Sequence, residues 1–76
     1  SDKDKNGKEA ESASKEMEAI RTQEAKKNFD IASFYEKQNR FRSALVYYRI
    51  VADKYGDTSF AEMSRRKIKI LKEVVE

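Results

Sequence analysis

The chain has 76 residues, 17 of them Lys or Arg and 14 Asp or Glu, so that 41% of it is charged while the net charge is only +3. A core of this size supplies about 3–5 kcal/mol, and with neither cysteine nor histidine in the sequence no disulfide or Cys/His metal site reinforces it. No run approaches the roughly 20 apolar residues of a membrane span; the absence of proline and the presence of only two glycines favour long helices over sheets.

Residues 1–11 alternate in charge, include Asn6 and Gly7, and offer no apolar side chain larger than alanine. Nothing there offsets the entropy of ordering, and a disordered charged tail or linker is expected. Ser12 and Ser14 are N-cap candidates for a long first helix over about 12–38, with a slightly irregular stripe of Ala13, Met17, Ile20, Ala25, Phe29, Ala32 and Tyr35. Glu24, Lys26 and Lys27 dilute its first half, whereas Ile31 and Phe34 enrich the second, so firm packing is expected only after about Glu24. Gln38, Asn39 and Arg40 interrupt the pattern, and so short a break makes the flanking helices antiparallel neighbours.

The second helix, about 41–55, has its apolar face at Phe41, Ala44, Leu45, Tyr48, Val51, Ala52 and Tyr55, spaced by threes and fours. Val46, Tyr47 and Ile50 add a second strip, and two strips require two neighbours. Gly56 is placed to close this helix in the left-handed conformation. Asp57, Thr58 or Ser59, the last as a capping box with Glu62, starts a third helix over about 59–75. Its core face is Phe60, Ala61, Ser64, Ile68, Leu71 and Val75, with Ile70 and Val74 off that face. Residues 12–76 thus read as one all-α module, an antiparallel helical hairpin plus a third helix.

Several of these positions resemble the tetratricopeptide repeat. Ile31 and Ala32 stand where that repeat has its large and small residues, Tyr35 at the aromatic one turn later, Ala44 at the small residue of the second helix and Tyr48 at the aromatic four residues on; Val51 is an enlargement and Gly56 replaces a usual proline. The run Phe34, Tyr35, Lys37, Phe41, Ala44 and the turn from Lys54 through Glu62 are similar to those of BamD-type outer-membrane assembly lipoproteins. This resemblance covers roughly residues 28–71 and implies one and a half repeats, with Lys69 and Lys72 marking the third helix as a terminal cap. It also implies a protein-binding scaffold of the bacterial periplasm, held at the outer membrane only through a lipid anchor that these residues do not include, with a β-barrel assembly component as partner.

Catalysis finds no support, because histidine, cysteine and a glycine-rich phosphate loop are all missing and the carboxylates lack an apolar enclosure; no cofactor is expected. The aromatics read first as interhelix packing, with Phe29 and Tyr47 as candidates to project and anchor a partner. By analogy with the repeat, Phe29, Ser33, Glu36 and Lys37 line the inner side. Arg65, Arg66, Lys67, Lys69 and Lys72 form the densest basic run, near which Arg40, Arg42 and Arg49 are expected if the last two helices pack side by side. The run is either a solvated face or a contact for an acidic partner or an anionic lipid surface; without an adjacent stacking platform nucleic acid is not expected. Two alternatives to the periplasmic scaffold are a self-associating helical segment forming a homo-oligomer and a cytoplasmic peptide-binding adaptor.

Overall fold

The computed structural model describes the backbone of residues 2–75 and the side chains of residues 15–75. It contains α1 (Asp2–Lys37), α2 (Phe41–Lys54) and α3 (Ser59–Val75), arranged as a hairpin with the third helix on its flank. Helix α2 packs closely on both α1 and α3, while α1 and α3 touch each other only lightly. Helix α2 therefore has two neighbours, although in its second apolar strip Tyr47 and Ile50 are half-buried and Val46 is left 54% exposed.

Small residues set how near the helices come. Ala32 of α1, Ala44 of α2 and Ala61 and Ser64 of α3 are fully buried, and around them Leu45, Tyr48, Val51 and Leu71 fill the interior. Phe29, Tyr35, Phe41, Tyr47, Ile68 and Val75 wrap this cluster as half-buried flanks. Rings make many of these contacts: Phe29 meets Tyr48 edge-on at 5.4 Å and Phe60 at 5.5 Å, while Tyr35 stacks on Tyr47 at 5.7 Å.

Asn39 makes the hairpin turn. Its φ of 63° lies in the left-handed region, which asparagine tolerates better than most residues. That conformation brings the Arg40 N–H onto the Tyr35 carbonyl at 2.9 Å and the Asn39 N–H onto the Glu36 carbonyl at 3.0 Å, the pair of bonds that closes a helix in a Schellman motif. At the second turn the expectation of a left-handed Gly56 is not met, since no glycine has positive φ among the described residues. Glycine eases a close approach there: a Cβ on Gly56 would lie 3.1 Å from the Ala52 carbonyl oxygen, so that a larger residue makes the backbone give by a few tenths of an ångström. The Ser59–Glu62 capping box is also not formed. The Thr58 hydroxyl donates backwards to the Tyr55 carbonyl at 2.7 Å, and Glu62 accepts from Arg66 at 3.0 Å.

The first helix differs most from its sequence pattern. It is continuous from Asp2, so residues 2–11, expected as a tail, are helical, and Ser12 and Ser14 lie within the helix instead of capping it. Lys, Glu and Ala are good helix formers, and propagating an existing helix costs far less than nucleating one. The packed part does begin at Ala25, the first buried residue of the helix among the described side chains. Met17 and Ile20, however, are exposed and do not continue the stripe of Ala25, Phe29 and Ala32. The step of five residues from Ile20 to Ala25 turns the helix by about 140°, onto another face. One polar tie holds this upper half to the body. Arg21 donates to the Lys54 carbonyl at 2.8 Å, reaches Asp57 at 2.6 Å and lies over the Tyr55 ring at 5.6 Å. The hydrogen bond to this guanidinium holds the Asp57 carboxyl below its ordinary pKa, and Asp57 in turn raises that of Arg21.

Two substitutions test this packing in opposite directions. Ala44→Leu overfills the fully buried α1–α2 contact and is expected to cost about 1–3 kcal/mol. Ser64 is fully buried and its hydroxyl has no hydrogen-bond partner, so Ser64→Ala is expected to stabilise by about 1 kcal/mol by removing an unsatisfied group. Urea unfolding followed by circular dichroism measures both, and equal midpoints for the two variants would contradict the packing described.

Candidate functional site

The residues singled out by sequence divide into two groups. Ser33 and Glu36, one turn apart on α1, meet Tyr48 of α2 and Lys67 of α3. The Tyr48 hydroxyl donates to Glu36 Oε1 at 2.6 Å, and since its one proton is used there, Ser33 Oγ, 3.3 Å away, is the donor of the remaining bond. Lys67 Nζ donates to the other carboxylate oxygen, Glu36 Oε2, at 3.2 Å. A four-residue chain of bonds thus clasps all three helices. Burial, followed by the hydrogen bond to the Glu36 carboxylate, pushes the Tyr48 hydroxyl up to about 12, against a smaller opposing effect of Ser33. Ser33 reaches α2 through Tyr48 and Glu36 reaches α3 through Lys67, so that their polar atoms are engaged within the chain.

The second group is a stripe along α3. Arg65, Ile68, Lys69, Lys72 and Glu73 line an open groove of about 520 Å³. Half-buried Ile68 is continuous with the core, whereas the three cations and Glu73 are exposed. Arg65 also reaches back to the Gly56 carbonyl at 3.2 Å, which anchors one end of the stripe to the preceding turn. Sequence spacing places 65, 68, 69 and 72 on adjacent turns of one face, and the groove is their spatial consequence.

The other candidates stand apart from both groups. Phe29 does not project: it is half-buried between Tyr48 and Phe60. Tyr47 is half-buried and stacked on Tyr35. The aromatic that does project is Phe34, 56% exposed; periodicity alone did not separate it from the other six on these helices. Lys37 is exposed at the end of α1, and Arg66 points to Glu62 one turn away. Arg40 and Arg42 line a different groove with Phe41 and Val75, so they do not extend the basic stripe. Among the described residues no cluster of His, Cys, Asp or Glu is arranged to hold a metal, and no helix is long and apolar enough to cross a membrane.

No family model matches the sequence, and neither a curated protein nor a solved structure matches the chain.

The clasp makes a pH-dependent prediction. Tyr48→Phe removes a hydrogen bond to a charged group, expected to cost about 1.5–3 kcal/mol at neutral pH. Because the folded-state pKa of Tyr48 lies above its ordinary value of 10.0, the folded protein keeps a proton that the unfolded chain has lost. The stabilisation is therefore complete below pH 10 and is lost as the pH rises through about 12. Chemical unfolding of wild type and variant across the alkaline range should show their stabilities converging; a constant difference would place the hydroxyl outside the clasp.

Proposed function

We propose that this chain is a non-catalytic, tetratricopeptide-like protein-interaction module, resembling part of a periplasmic outer-membrane assembly lipoprotein of the BamD type. The observation that carries the binding reading is the α3 groove, where Arg65, Lys69 and Lys72 surround Ile68 on an exposed face. Three cations against the single carboxylate of Glu73, beside one apolar floor residue, leave the groove net positive and fit an acidic segment of a partner protein that brings an apolar side chain of its own. Charge complementarity would steer the encounter and fix the register, and the contact with Ile68 would add desolvated area.

The repeat-like reading is supported by the burial of some of the residues that carry the resemblance, whereas Ile31 and Tyr35 are half-buried and Phe34 is exposed. Ala32 and Ala44 are fully buried at the hairpin contact, and Tyr48 is buried four residues after Ala44. A rigid three-helix body presents the groove on one helix, whose far end is steadied by the Arg65–Gly56 bond. In this scheme the protein aligns its partner and performs no chemistry.

The test is co-purification of the tagged native protein from cell envelopes solubilised in mild detergent, read by mass spectrometry and compared with a variant carrying Arg65→Glu, Lys69→Glu and Lys72→Glu. A β-barrel assembly protein recovered with wild type and lost with the variant, and lost also at high salt, is the expected result. Recovery of soluble proteins alone would make the outer-membrane reading wrong, and undiminished capture by the variant would remove the groove from the interface.

A further inference from the structure

The face of α1 turned away from α2 and α3 carries an apolar row of its own. Met17, Ile20 and Phe34 are 64%, 58% and 56% exposed, and Ile31 beside Phe34 is half-buried. Together with exposed Glu24 and Lys27 these residues fall at 17, 20, 24, 27, 31 and 34. Alternating steps of three and four define the seam of a two-stranded coiled coil. The seam spans about 26 Å of helix and has an apolar pair at each end with one acid and one base in the middle.

The spacing reads the same from either end about a midpoint between Ala25 and Lys26, and the two charges that mirror onto each other are of opposite sign. Laid antiparallel on a second copy, Phe34 meets Met17 of that copy, Ile31 meets Ile20, and Glu24 meets Lys27, with each contact made twice by the two-fold axis. A sulfur–aromatic contact closes each end. The parallel arrangement instead sets Glu24 against Glu24 and Lys27 against Lys27, two like-charge layers in the centre of the interface. Flanking the seam, Glu16 and Lys37, both exposed, are also brought side by side by the antiparallel arrangement. Among the described residues neither Glu24 nor Lys27 has an ion-pair partner within the chain, whereas their neighbours Lys26 and Asp30 pair with each other at 2.8 Å. We propose that this face of α1 binds a second copy of the chain in an antiparallel, two-fold-symmetric dimer whose register is set by reciprocal Glu24–Lys27 pairs. The surface is distinct from the α3 groove, so the dimer stands or falls independently of the partner proposed above.

Sedimentation velocity over a roughly hundredfold concentration range is expected to show mass action between one chain and two. Glu24→Lys alone and Lys27→Glu alone each create two like-charge contacts and should weaken self-association by about tenfold or more. An equimolar mixture of the two variants should dimerise again, because the mixed pair has only opposite charges in its central layer. The double exchange in one chain should likewise restore the homodimer, and Phe34→Asp should abolish it. Both charged positions are exposed, and unchanged helical circular dichroism confirms that the variants are folded. A wild-type chain that stays single at the highest concentration overturns the proposal. So does a mixture that fails to recover dimer, and so does dimerisation indifferent to all of these changes, which would move the contact to exposed Ile70 and Val74 of α3.

Discussion

The distance between α2 and its two neighbours is the constraint on which the rest of this structure depends. Ala32, Ala44 and Ala61 are fully buried, and residues without a long side chain let helix backbones approach until the larger groups around them interlock. Tyr48 is the largest side chain to be completely enclosed. It fits because Phe29 meets its edge from α1 and because its hydroxyl finds Glu36 and Ser33 at the rim. A buried phenol without such partners would cost more than its ring gains, since an unpaired polar group is expensive in a low-dielectric interior. The core and the clasp are therefore parts of one solution, in which the ring stabilises by burial, the hydroxyl ties α2 to α1, and Lys67 ties α3 to the same Glu36 carboxylate.

Close approach also explains the buried unsatisfied hydroxyl found among the described residues. Ser64 occupies a place in α3 where only a small residue fits, and its hydroxyl is left without a partner. The turn before α3 shows a similar demand in another form, because a Cβ on Gly56 would crowd the Ala52 carbonyl, while the glycine itself has no unusual backbone angle. These features confine the body to a narrow shape, with extents of 59 × 17 × 13 Å along which α1 forms the long axis. A core this thin leaves apolar residues uncovered on the outer faces of α1 and α3. The basic groove and the self-complementary seam are both consequences of that geometry, on different helices and with different charge patterns.

What the sequence by itself determined was the type, number and order of the helices, and most of the inner face. The period of Ala44, Leu45, Tyr48 and Val51 in α2 and of Ala61, Ser64 and Leu71 in α3 is the period of a helix, and burial follows it directly. The start of firm packing at Ala25 was legible too, because charged residues dilute the stripe before it. Tertiary structure alone decided which of several near-equivalent side chains faces a neighbour. Phe29 and Phe34 are five residues apart on the same helix, and a rotation of about 140° puts one in the core and the other in solvent. The same rotation separates Ile20 from Ala25 and turns an irregular core stripe into two different surfaces. The bonds from Tyr48 to Glu36 and from Lys67 to Glu36 were hidden for a further reason: they join residues 12 and 31 positions apart, and the spacing of residues along one helix carries no information about which atom of another helix will arrive beside it.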